Sequence, residues 1–267
     1  MDYDFITTCN WTATGTYTLK AYRGSATDVV TSYSLYYRKK GATTWTKTTN
    51  GQVVISSTGE WEIANDWNNS GNDVLTHSYS GITKIDKCTK VEFDETSLGA
   101  TIGNYFLVFC WSNCTSLTSM PSGFNLPSGI TSVGSYFLYY CWYNCTSLAS
   151  MPSGFNIPTG ITTVGDYFLT SCWDGCTSLT SMPSEFNLPS GITSVGSYFL
   201  TSCWNSCTAL KANDYTENIT FKYSATNVFG GTCPISPDSV TASTSSPVNV
   251  AVNRYVAVTF IPRTIIF

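Results

Sequence analysis

Positive charge is missing from the middle of this sequence: no Lys or Arg stands between Lys90 and Lys211. A phosphate backbone is held by Lys and Arg, so this absence argues against nucleic acid as a partner. Only 11% of the 267 residues are charged and the net charge is -4, which leaves solubility to Ser, Thr, Asn and Gly. Histidine is almost absent as well, His77 being the only one. One imidazole without a recognisable Ser or Cys partner in THSYS makes a catalytic triad a poor reading, and His77 is expected to be a surface or turn residue. No apolar run approaches the ~20 residues of a membrane span, and MDYDFITTCNWTATG lacks the basic start and apolar core of a signal peptide. As written, the chain is expected to be neither Sec-targeted nor membrane-spanning. Either the sequence is a trimmed form of a longer one, or an outside location needs another route, such as packing on a virus particle released by lysis.

What is abundant is repetition. Near-copies run from Ile102 to Ser132, Val133 to Thr163 and Val164 to Ser194, with a fraying fourth from Val195. Their register is set by Cys110, Cys141, Cys172 and Cys203, 31 residues apart, a period that marks stacked repeats. Eight of the 11 cysteines fall in CWSNC, CWYNC, CWDGC and CWNSC. Free Cys packs as a small apolar group, so a ladder of buried thiols suits this regularity, with disulfides or a metal as the alternatives. Zinc would call for Cys-x2-Cys or His partners, which the repeats lack, and no metal is expected.

Ahead of the repeats, YTLKAY, SYSLYYRKK, TTWTKTT and QVVIS alternate apolar with polar residues, and Tyr33 to Thr48 reads as a hairpin turning at Gly41. Length and hairpin pattern point to a small β-sandwich of immunoglobulin or fibronectin type. Between Ile82 and Gly103, Cys88-Thr-Lys-Val91 mirrors the later Cys-Thr-Ser-Leu, as a degenerate first repeat would. After Leu210 the repeat decays into a C-terminal cap. Ser236 to Pro247 reads as a linker, and VNVAVNRYVAVTFIPRTIIF as a strand pair. That pair either folds back onto the N-terminal sandwich or docks on another subunit, because an unpaired edge is a hazard.

Comparing the copies with one another separates core from surface. Tyr-Phe-Leu, Cys-Trp, the second Cys and the Leu of CTSL never change, as inward positions of stacked turns should not. YFLxxCWxxC, with apolar residues three and four apart, predicts one short helix per repeat. CTSLTSM and Gly-Ile-Thr-Ser-Val predict short strands, with Pro121, Pro127 and Gly129 breaking the chain between them.

The units CTSLTSM and LPSGITSVGSYFL, followed by an aromatic-rich segment, resemble the BspA-type leucine-rich repeats over about residues 88–210. An extra stretch around PSGFN and the extended CW-x-x-C segment depart from that pattern and lengthen each turn. The resemblance implies a leucine-rich-repeat solenoid and a non-enzymatic role in adhesion or recognition. The expected fold is mainly β with short helices. It comprises a β-sandwich-like domain over 1–81, a capped leucine-rich-repeat solenoid over 82–235, and a linker with C-terminal β strands over 236–267.

No catalytic constellation emerges. Carboxylate pairs could be drawn from Glu60, Glu62, Asp66 and Asp73, but glycosidic chemistry needs a defined separation across a cleft. Asp66, Asn68, Ser70 and Gly71 imitate the opening of an EF-hand loop, whose twelfth place is then His77 where a bidentate Glu is required. The stretch reads better as a polar turn. No cofactor is expected.

The positions that vary between copies are Val108, Phe109, Ser112 and Asn113, then Tyr139, Tyr140, Tyr143 and Asn144, then Thr170, Ser171, Asp174 and Gly175, then Thr201, Ser202, Asn205 and Ser206. Side chains free to differ from turn to turn are expected to face outward. Phe109, Asn113, Tyr139, Tyr140, Tyr143, Asn144 and Asp174 are accordingly the candidate ligand-binding residues, since Tyr supplies contact area at little entropic cost. The expected partner is a protein or glycan on another surface, bound outside a cell or virus particle, with further copies contacted through the C-terminal strands. The competing expectation is a structural assembly subunit, such as a virion decoration or appendage protein, with the repeats as a stiff spacer.

Overall fold

A computed structural model describes residues 3–30, 34–48, 50–66, 73–152, 154–182, 186–211, 218–235 and 238–251, and shows a mainly β chain. The N-terminal part is organised by the strand Phe5–Trp11, whose FITTCNW is β-branched, aromatic and buried along nearly its whole length. Such a strand must be flanked on both edges. Gly59–Asn65 and Ile85–Phe93 pair with it antiparallel on its two sides, and Leu35–Lys39 followed by Thr46–Thr48 completes a five-stranded sheet. The hairpin at Gly41 forms as expected, with that glycine at φ +87°. A separate pair, Gly15–Thr18 with Gln52–Ile55, adds Val53 and Ile55 to the same core.

Strand Ile85–Phe93 serves two structures at once. One edge pairs with Phe5–Trp11, while Lys87 begins a parallel ladder through Ser119, Ser150 and Ser181. A second ladder joins Thr101–Ile102, Ser132–Val133 and Thr163–Val164, then Ser194. Gly-Ile-Thr-Ser-Val forms the expected short strands at Ser132–Val133 and Thr163–Val164, whereas CTSLTSM contributes only isolated bridges at Ser119, Ser150 and Ser181. One contiguous core therefore runs from Phe5 to Val250.

Between the ladders, identical side chains stack. Trp111, Trp142, Trp173 and Trp204 lie 5.4, 5.5 and 5.6 Å apart, within 6° of parallel, and Phe229 closes the column 5.4 Å beyond. Phe106, Phe137, Phe168 and Phe199 form a second column at 5.4 to 5.6 Å. Stacked pairs of this kind contribute about 0.5–1.5 kcal/mol each beyond the area they bury. The indole N–H groups of all four tryptophans find no hydrogen-bond acceptor among the described residues. Each unmet donor costs about 1–3 kcal/mol, which the buried ring areas must offset.

The predicted helix in YFLxxCWxxC is absent. Tyr105, Leu107, Phe109 and Asn113 take φ of 70°, 56°, 53° and 56°, so left-handed and right-handed residues alternate, and the pattern recurs in each repeat. The physical reason lies in the spacing. Turns about 5.4 Å apart cannot each carry a helix, because packed helix axes need roughly 8–10 Å. A helix would also spend its N–H groups internally. Here Val108, Cys110 and Ser112 close tight turns onto Tyr105, Leu107 and Phe109. Tyr105, Phe109, Trp111 and Asn113 instead donate to Ser135, Tyr139, Cys141 and Tyr143 of the next repeat. Left-handed geometry costs an L-residue roughly 1–2 kcal/mol, and the cross-repeat hydrogen bonds offset it.

These amides point to the next repeat, while Leu138, Leu169 and Leu200 donate back to Phe106, Phe137 and Phe168 of the repeat before, so both ends of the stack need caps. At the start, the Tyr79 and Gly81 amides donate to Cys110 and Ser112; Gly81, at φ +77°, occupies the left-handed place that Asn113 holds one turn later. At the end, Trp204 and Ser206 donate to Val228 and Gly230. The stack thus begins before residue 82, and the boundary drawn at 81 falls inside its first turn. Cys88 is also re-registered. Lys87 pairs with Ser119, which places Cys88 beside Met120 and not beside the Cys of CTSL.

The C-terminal strand does not return to the N-terminal sheet. Val248–Ala251 pairs antiparallel with Asn218–Phe221. The stretch expected to be a linker is pinned to the cap, where Ala225 and Val240 exchange hydrogen bonds of 2.8 and 2.9 Å. The sequence after Ala251, on which a second strand and a docking role were expected, lies outside the described residues.

All 11 cysteines are buried free thiols, so the thiol-ladder alternative describes this structure. Burial pushes the repeat thiols well above the ordinary cysteine range. The second Cys of each motif also has a bonding role: Cys145 Sγ donates to the Trp111 carbonyl at 3.0 Å, and Cys176 and Cys207 do the same to Trp142 and Trp173. Iodoacetamide at neutral pH is therefore expected to leave the repeat thiols of the native protein unmodified and to alkylate all of them in denaturant. Cys233, at the edge of the cap and 9% exposed, should react first. Native-state labelling of Cys141 or Cys145, read by mass spectrometry, would contradict the ladder.

Candidate functional site

The invariant tyrosine of each repeat is not core. Tyr105, Tyr136 and Tyr167 are part-buried and Tyr198 is 57% exposed, yet their rings stack in register at 5.4, 4.6 and 4.6 Å. Invariance across repeats here records stacking at the surface, where each ring must match the one above and below. Sequence comparison assigned these residues to the interior because stacking and burial leave the same mark.

Next to this column the varying residues of the first two repeats add further rings. Tyr139 stands edge-on to Tyr136 and Tyr167 at 5.3 and 5.7 Å and lies 4.5 Å from Tyr140, which in turn is 4.8 Å from Tyr143. Phe109 is 5.3 Å from Tyr140. The result is a shelf of tyrosine rings. Burial and its neighbours raise the Tyr139 phenol to about 12, and burial also raises Tyr136 and Tyr143.

The outward expectation holds only in part. Val108 and Phe109 are buried beneath Tyr22 and Val29 of the N-terminal part, and Tyr22 lies 5.1 Å from Phe109. Ser112, Thr170 and Ser171 are buried as well. Asn113, Asn144 and Asp174 are part-buried. Asn144 donates to Asn113 Oδ1 at 3.0 Å, and at the neighbouring position Asn205 donates to Asp174 Oδ1 at 2.9 Å, two separate links across repeats. Asn113 and Asn144 share a left-handed position with Gly175 and Ser206, which Asn and Gly tolerate, whereas Asp174 and Asn205 stand one residue earlier in their repeats. Burial raises the Asp174 carboxyl despite these hydrogen bonds.

Five of the candidates nevertheless meet in one groove. Phe109, Asn113, Tyr139, Tyr140 and Tyr143 line a cavity of about 310 Å3 together with Ser112. Ser25 and Ala26 of an N-terminal loop and Ser80 of the first turn complete it. The loop is held there by an Arg23–Asp73 ion pair of 3.0 Å. It also leans on the shelf through Gly24, at φ +59°, where a Cβ would stand 3.0 Å from the Tyr136 ring. Asn144 and Asp174 lie outside this groove. Ser25, Ala26 and Ser80 were missed because nothing local ties them to residues so far along the chain.

Other sequence candidates are engaged elsewhere. Glu60 binds Lys40 and Thr89, Glu62 binds Arg38, and Asp73 binds Arg23. Asn68, Ser70 and Gly71 of the EF-hand look-alike lie outside the described residues. His77 is fully buried, contrary to the surface expectation. Its Nδ1 and backbone N–H share Asn65 Oδ1 at 2.7 and 3.0 Å, its Nε2 lies 2.7 Å from Thr7 Oγ1, and Tyr79 Oη lies 2.6 Å from that hydroxyl. Burial takes its pKa down to about 3. Among the described residues no group of three His, Cys, Asp or Glu could hold a metal ion, and no helix is long and apolar enough to cross a membrane.

Set against known protein families, curated proteins and solved structures, the chain finds no match in any of the three comparisons.

Proposed function

We propose that this chain is a non-enzymatic recognition or adhesion protein, acting on the outside of a cell or virus particle. In this reading the stack is a leucine-rich-repeat solenoid of BspA type, and the N-terminal sandwich-like part both caps it and mounts it. The observation that carries the reading is the tyrosine shelf. Rings stacked in register at 4.6 Å on a part-exposed face are a rigid, preorganised contact surface, and Tyr is favoured where one side chain must offer both area and a hydrogen bond. Rigidity lowers the ordering cost of binding.

A second reading, the structural assembly subunit, draws on the single core that runs from Phe5 to Val250 among the described residues, as a spacer would require. The two readings separate experimentally. Fluorescently labelled protein is incubated with a panel of intact cells and retention is read by flow cytometry. Tyr140→Ala with Tyr143→Ala is expected to lower retention at least tenfold while the fold persists. Tyr139 is left in place because it braces Tyr136 and Tyr167. Retention unchanged in the double variant, or absent for every surface tested, would overturn recognition through the shelf.

A further inference from the structure

We infer that the groove between the tyrosine shelf and the Ser25–Ala26 loop binds a neutral pyranose sugar at the end or edge of a glycan. The inference deepens the recognition reading and rests on it. Three observations point to this ligand class.

The first is shape and size. A cavity of about 310 Å3 sits at the small end of ligand sites, with room for a mono- or disaccharide. The second is charge. The lining holds no Asp, Glu, Lys, Arg or His, and the nearby Arg23 and Asp73 are paired with each other. A sulfated, sialylated or phosphorylated ligand would find no counter-charge, and its desolvation would go uncompensated.

The third is the mixture of groups. Tyr139, Tyr140 and Tyr143 offer ring faces, and their three hydroxyls, with that of Ser80, have no hydrogen-bond partner among the described residues. A pyranose presents the matching surfaces: an apolar face of C–H bonds that packs on an aromatic ring, and a rim of hydroxyls that both donate and accept. A peptide would gain less here. The backbone of this face has no open edge for strand addition, since the Phe109, Trp111 and Asn113 amides are spent on Tyr139, Cys141 and Tyr143.

The test uses the full chain, labelled, on a glycan microarray carrying neutral, sialylated and sulfated glycans, followed by calorimetry with the strongest neutral hit. Two variants accompany it. Tyr143→Ala removes a ring that contacts Tyr140 alone among the described aromatic pairs. Ala26→Trp fills the groove from an exposed loop position without touching the core. Binding to neutral glycans, weakened at least tenfold by Tyr143→Ala and lost in Ala26→Trp while the melting temperature holds, is the expected result. Preference for acidic glycans, or binding unaltered by Ala26→Trp, would overturn it. So would retention on cells that survives periodate treatment and disappears after proteinase K, which identifies a protein partner and leaves the recognition reading standing.

Discussion

Gly165→Ala is expected to cost about 3 kcal/mol or more, while Gly129→Ala, two repeats earlier, changes stability by less than about 1 kcal/mol. Both glycines look alike in sequence, at φ values open to any residue, and they differ only in what lies beside them. A Cβ on Gly165 would stand 2.6 Å from the Gly134 carbonyl carbon and 2.6 Å from the Ser135 nitrogen. These are backbone atoms of the preceding turn. They cannot rotate away as a side chain would, so the two turns must part. That separation strains the Gly165–Val133 hydrogen bond of 3.0 Å and the aromatic columns beside it. The same contact recurs at Gly134 and Gly196, with backbone atoms of the turn before at 2.8 and 2.5 Å. On Gly129 a Cβ meets nothing within 4 Å. Urea unfolding of the two variants measures the difference directly, and equal destabilisation would refute the close-approach explanation.

Acidification should destabilise the protein through His77 alone before the carboxylates matter. Its folded pKa, about 3, lies below the ordinary value of 6.5, so the unfolded chain binds the proton first. The contribution of the neutral, hydrogen-bonded ring is complete above pH 6.5 and is lost as pH falls towards 3. Linkage then gives a loss of about 2 kcal/mol by pH 5 and about 4 kcal/mol by pH 3. Asp66 and Asp174, whose pKa values burial raises, act in the opposite sense, which is why the comparison is made above pH 5. No second histidine complicates the window. His77→Gln can keep hydrogen bonds to Asn65 and Thr7 while removing the proton site, so its stability should be flat between pH 8 and 5. A variant that retained the wild-type slope would place the titration elsewhere.

His77 also shows where sequence reasoning stops. THSYSGI bears no visible likeness to FCWSNC, yet the Tyr79 and Gly81 amides bond to the first repeat as Trp111 and Asn113 bond to the second. The cap is recognised by its backbone hydrogen bonds, which letters do not encode. The lost helix has a related origin. Apolar residues three and four apart fit a helix and equally fit a chain of tight turns, and periodicity alone cannot tell them apart. The candidate site was half legible: Phe109, Asn113, Tyr139, Tyr140 and Tyr143 were found by their variation. Tyr105, Tyr136, Tyr167 and Tyr198 were misassigned by their constancy.

The sequence by itself determined the period, the short strand ladder of Gly-Ile-Thr-Ser-Val, the thiol positions and the Cys-Trp interior. Each of these follows from a 31-residue repeat whose inward side chains must match their neighbours. Tertiary structure alone decided the rest. The spacing of 5.4 Å between stacked tryptophans ruled out a helix and imposed alternating left-handed residues. That geometry turned Tyr136 and its counterparts to the surface. The N-terminal loop then closed over the first turns, burying Phe109 and making a groove from residues that no local pattern connects.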